Sequence, residues 1–85
     1  MEYVVVAFRS RAHTVKFAEY LRVRGIMAEI VNTPKEAGVG CGLSVKISKS
    51  NLMLVKKAVR LIGLDSFAGT FLVLNFSGKR IVRII

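Results

Sequence analysis

A chain of 85 residues, 53% of them apolar, suits one small domain with a real hydrophobic core. Fourteen Lys and Arg against five Asp and Glu give a formal charge of +9, which excludes an acidic surface and favours polyanions, acidic protein faces or anionic lipid. One cysteine excludes an internal disulfide, and one cysteine with one histidine cannot close a four-ligand zinc site, so no metal and no cofactor is expected.

The domain is expected to fill residues 1–85, with a core over 1–76 and a strand extension over 77–85. Tyr3 to Phe8 is a β-branched and aromatic run too short for a helix, and it reads as the first strand. Nothing in the first residues resembles a signal peptide, and no apolar stretch approaches the roughly 18 residues of a membrane span. With the reduced lone cysteine, this gives a cytoplasmic expectation and no membrane partner. Arg11 to Arg24 has the helical period, with Thr14, Phe17, Ala18 and Leu21 on one face. Ser10 is its N-cap candidate and Gly25 its stop.

Ile26 to Val31 reads as the second strand, ended by Asn32-Thr33-Pro34. The loop that follows has three glycines in five positions, Gly38, Gly40 and Gly42, around Cys41. Leu43, Val45 and Ile47 alternate with Ser44 and Lys46 in a third strand. Ser48 caps a second helix running to Ile62, with Leu52, Val55, Val59 and Ile62 inward and Lys56, Lys57 and Arg60 outward. Thr70 to Phe76 is the fourth strand. Ser77-Gly78-Lys79 turns, and Arg80 to Ile85 pairs back as a fifth.

This order predicts an α+β fold: a ferredoxin-like β-α-β-β-α-β antiparallel sheet with two helices on one face, plus the C-terminal strand. In that topology the loop carrying Cys41 shares an edge with Arg9, Ser10, Arg11 and His13. Phe71, Leu72, Val73 and Leu74 make both faces of the fourth strand apolar, which points to a second copy or another covering partner, a homodimer being the simplest.

Cys41 carries the chemistry if cationic groups and backbone N–H donors stabilise its thiolate. Lys35 lies on its loop, Arg9 and Arg11 on the adjoining edge, and Gly40 and Gly42 let backbone amides approach a sulfur or an anion. The competing interpretation is a buried, inert cysteine. His13 is either a base or anion ligand beside Cys41 or a surface histidine in the first turn of its helix. The glycines precede a strand and so form no P-loop or dinucleotide fingerprint. The third strand has no aromatic residue on which RNA bases could stack, so nucleic acid is a weakly supported partner, held only by charge.

Thr33, Pro34, Lys35 and Glu36, followed by small residues and then Cys41-Gly42, resemble the selenium/sulfur carrier protein-like family of small bacterial domains. The resemblance covers most of residues 1–75. Gly38 and Gly40 stand where that family often has serines. It implies that Cys41 holds sulfur or selenium as a persulfide or selenopersulfide, with Thr33, Pro34, Lys35, Glu36, Gly40 and Gly42 around it. It also implies donor and acceptor proteins as partners, and a carrier rather than an enzyme. The alternative is a non-catalytic binding or regulatory module for a small anion, an acidic protein or nucleic acid, in which Cys41 is a spacer.

Overall fold

The computed structural model describes all residues from Met1 to Ile85. Nine segments follow one another: β1 (Glu2–Phe8), α1 (Arg11–Val23), β2 (Glu29–Asn32), a 3-10 turn (Lys35–Ala37), β3 (Leu43–Ile47), a second 3-10 turn (Lys49–Asn51), α2 (Leu52–Ile62), β4 (Phe67–Phe76) and β5 (Lys79–Ile84). The fold is α+β, with a five-stranded antiparallel sheet in the order β2-β3-β1-β4-β5. With β5 added outside β4, this is not the simple four-stranded ferredoxin-like layout.

The even-numbered side chains of β1 face both helices. Val4, Val6 and Phe8 join Val45 and Ile47 of β3, Phe17, Ala18 and Leu21 of α1, and Val55 and Ala58 of α2 in one core. Strand alternation and helical period therefore converge on a single apolar layer. Phe8 closes the end of this layer, its ring centroid 5.2 Å from that of Phe17. That contact fixes where α1 starts relative to the end of β1. Thr14, one turn before Phe17 and Ala18, is thereby buried over the rim of the sheet.

The opposite face has its own smaller core of Val5, Ala7, Phe71 and Val73. Ala37 and Val39, from the loop between β2 and β3, pack against it. The two-sided burial of β4 that suggested a second copy is thus supplied in part by this chain's own loop. Phe71 and Val73 are already buried without a partner.

Several boundaries differ from expectation. β2 is shorter, beginning at Glu29 rather than Ile26. Residues 24–28 are used in leaving α1: Ile26 N–H returns to Leu21 O at 3.0 Å, and Arg22 Nε donates to Ala28 O at 2.9 Å. α2 is preceded by the 3-10 turn because Ser48 Oγ accepts from Ser50 N–H, which tightens the first turn. β4 begins at Phe67, three residues early, and accommodates this with an irregularity where Ala7 opposes Gly69 but Phe8 opposes Phe67. No helix is long and apolar enough to cross a membrane.

Candidate functional site

The loop from Thr33 to Gly42 is tied down at both ends of its run. Thr33 N–H donates to Gly42 O at 2.9 Å, closing its base, and Thr33 Oγ1 lies 2.7 Å from the hydroxyl of buried Ser44. Pro34 is buried, and it precedes the 3-10 turn of Lys35, Glu36 and Ala37. At the far end, Cys41 N–H donates to Phe8 O at 3.0 Å. Gly40 makes this approach practicable: a Cβ there would stand 3.2 Å from Phe8 O and 3.5 Å from Ala7 Cβ, at a φ of +92°.

Cys41 is half-buried. Its sulfur turns toward the helix layer, 3.7 Å from Thr14 Oγ1 and 3.7 Å from Leu43 O. The Thr14 hydroxyl donates to Ser10 O at 3.1 Å, which uses its one proton. A protonated Cys41 is then the donor, to Thr14 Oγ1 or to Leu43 O. If the sulfur becomes an anion, the Thr14 hydroxyl can rotate to donate to it. Thr14 belongs to the first turn of α1, where Ser10 Oγ accepts from His13 N–H at 3.2 Å and no acidic side chain is present. The positive end of the helix dipole therefore lies on the sulfur's side of the domain.

The expected neighbours divide into two groups. Thr33, Pro34, Lys35, Gly40 and Gly42 are brought together and line a shallow hollow on the loop. Arg9, Arg11 and His13 come to the same edge of the sheet, as the topology predicts, but Arg9 and His13 are engaged elsewhere. Arg9 Nη1 reaches Phe67 O at 3.4 Å. His13 Nδ1 is 2.6 Å from Ser66 Oγ and 4.0 Å from Asp65 Oδ1. His13 fastens the turn before β4 to α1, and Arg9 fastens the start of β4 to the β1–α1 connection, rather than touching the sulfur. Arg11 and Lys35 are exposed. Glu36 is held by Arg80 of β5 in a two-point ion pair, with Nη2 to Oε1 at 2.7 Å and Nε to Oε2 at 3.1 Å. The guanidinium hydrogen bond holds the Glu36 carboxyl below its ordinary value of 4.5, and Glu36 raises Arg80 in turn.

Two contacts at this site go beyond the sequence reading. Thr14 reads there only as part of the core-facing stripe of its helix, although a hydroxyl at the N-terminal end of an apolar stripe is a signal that it meets something polar. Arg80 gives no signal, because nothing local in Lys79-Arg80-Ile81 specifies a partner 44 residues away.

A half-buried cysteine on a glycine-flanked loop, its sulfur lying against the first turn of a helix, defines a thiol-bearing site on an α+β domain. The model of the family described as "Putative Se/S carrier protein-like" matches residues 3–65, well over half of the chain, and the chain belongs to that family. The match ends ten residues before the expected limit of 75, so it contains β1 from Tyr3, the elements through α2 and the whole Cys41 loop, but neither β4 nor β5. No curated protein and no solved structure gives a significant match.

Proposed function

We propose that Cys41 is the carrying group of a sulfur or selenium carrier, and that the domain relays the atom between a donor and an acceptor protein. The observation that bears most weight is the position of the sulfur: half-buried, beside the Thr14 hydroxyl and the positive end of α1, in a chain of the Se/S carrier family. A carried persulfide needs partial shelter from solvent and a donor for its negative charge, and both are at hand. We also infer that β2-β3-β1-β4 is a ferredoxin-like core to which β5 has been added.

Loading needs no external oxidant. The Cys41 thiolate attacks the outer sulfur of a donor protein's persulfide. A new S–S bond forms on Cys41, the donor's S–S bond breaks, and the donor leaves as a thiolate. The transferred atom keeps its oxidation state, and selenium travels by the same exchange. Delivery is the reverse step on an acceptor thiolate. On loading, the Thr14 hydroxyl turns from Ser10 O to donate to the anionic sulfur, and Lys35 and Arg11 supply exposed positive charge for recruiting an acidic partner face.

Intact mass spectrometry after incubation with a cysteine desulfurase and cysteine tests this. Wild type should gain a reducible adduct of about 32 Da, one sulfur atom, and Cys41→Ser should gain none. Absence of the adduct on wild type, or its equal presence on the variant, contradicts the proposal.

A further inference from the structure

The exposed carboxylate among the expected Cys41 neighbours is fully engaged by a strand outside the family match. Glu36 lies five residues before Cys41, and Arg80 lies on β5, beyond residue 65. Between Glu36 and Cys41 the chain crosses the end of the sheet, and its hold there comes from the side chains of Ala37 and Val39 on the Val5, Ala7, Phe71 and Val73 cluster. Three methyl groups are a weak anchor for a loop built around three glycines. The Glu36–Arg80 pair is the one charged contact that adds to it. Two parallel N–H···O bonds, with each side chain about 40% exposed, form the geometry in which an ion pair at a surface contributes measurably.

We propose that Arg80 is a positioning residue for Cys41: by gripping Glu36 it seats the 35–41 strap on the sheet and so keeps the sulfur in its sheltered place beside Thr14. Beside the Ala37 and Val39 packing, the strap has two polar fastenings. One is the Cys41 N–H bond to Phe8 O, at the hinge itself. The other is the latch at Glu36. Releasing the latch leaves residues 35–40 held by Ala37 and Val39 alone, so the strap can shift on its own face of the sheet and, through the chain at Gly40, loosen the seat of Cys41 against Thr14 on the other. β5 thereby does more than widen the sheet. It pairs along β4 from Phe71↔Ile84 to Phe76↔Lys79, a register that carries Arg80 opposite Asn75 and under the strap. This inference rests on the carrier reading only in what the positioned sulfur is for; the latch itself is a statement about loop geometry.

The test is the rate at which native Cys41 reacts with iodoacetamide, an uncharged reagent whose approach a change of surface charge does not steer. Arg80→Ala should raise that rate about threefold, toward the upper end of what a well-aligned surface pair supplies, without a matching loss of melting temperature. Arg80→Lys should fall between, since an ammonium cannot make both bonds. The double reversal Glu36→Arg with Arg80→Glu should return the rate to near that of wild type. A role limited to stability would move the melting temperature with the rate. If Arg80→Ala fails to fold, Glu36→Gln removes the charge from the other half of the pair with its shape kept, and it should give the same acceleration. Wild-type rates in both Arg80→Ala and Glu36→Gln, or no recovery in the folded double reversal, overturn the proposal. The two readings fail separately. A wild type that accepts no sulfur but shows the rate changes loses its carrier function and keeps its latch. A wild type that loads sulfur and shows no rate changes keeps the carrier and loses the latch.

Discussion

Gly40→Ala probes the seat of Cys41 directly, with Gly38→Ala as its control. Both glycines have positive φ, +65° at Gly38 and +92° at Gly40, so an L side chain at either is strained by about 1–2 kcal/mol. Only Gly40 has a neighbour. A Cβ at Gly38 meets nothing within 4 Å, whereas one at Gly40 stands 3.2 Å from Phe8 O. Phe8 is fully buried and locked into pairing with β4, so it cannot retreat, and the loop must move instead. Movement stretches the bond from Cys41 N–H to that same oxygen, at a further cost of about 1 kcal/mol. Gly40→Ala should therefore melt about 4–8 °C below Gly38→Ala in a domain of this size. It should also alkylate faster at Cys41, while Gly38→Ala stays closer to wild type. Thermal melts by circular dichroism and the iodoacetamide rate read both effects. Equal melting of the two variants, with unchanged Cys41 reactivity, would refute the claim that Phe8 O holds the sulfur-bearing residue in place.

Thr14→Val keeps the shape of a buried side chain but removes the hydroxyl beside the sulfur. It should cost about 1 kcal/mol through the lost bond to Ser10 O, and it should shorten the lifetime of the Cys41 persulfide in buffer, followed by cyanolysis. Ser10→Ala removes the acceptor for His13 N–H and should lower stability in urea by about 1 kcal/mol, with a normal slope against denaturant. The pH dependence of the latch has a definite sign. Glu36 is held below 4.5 in the folded state, chiefly by its hydrogen bond to Arg80, then by a backbone hydrogen bond, and further by the charges of Arg80 and Lys35. Its contribution is complete above its unfolded value and fades as pH falls through the lower folded value. The small stability difference between wild type and Arg80→Ala, less than the rate change would imply, should accordingly be constant near neutrality and shrink below pH 4.5; a difference that grows on acidification contradicts the pairing.

The elements were legible because their periods are clean. Val4, Val6 and Phe8 alternate, Thr14, Phe17, Ala18 and Leu21 recur at helical spacing, and both sets meet in one core. The proximity of the Cys41 loop to the start of α1 followed from topology alone, and the bond from Cys41 N–H to Phe8 O agrees with it. What was not legible is tertiary. Arg9 and His13 carry the right chemistry at the right edge, yet the early start of β4 offers them Phe67 O and Ser66 Oγ. Neither acceptor is marked in Asp65-Ser66-Phe67. The apolar run of β4 correctly announced two buried faces, but its pattern could not say that Ala37 and Val39 of the same chain help cover one of them. Glu36 enters the site only through the family resemblance; its pairing with Arg80 depends on the register of β5, which the alternation of Lys79 to Ile84 leaves open.

The most direct measurement follows labelled sulfur through the protein. Wild type and Cys41→Ser are each incubated with a desulfurase and radiolabelled cysteine, separated from small molecules, and then treated with a mild reductant. Retention of label by wild type, its release on reduction and its absence from Cys41→Ser are the predicted results. Label that survives reduction, or that binds the serine variant as well, would contradict the account.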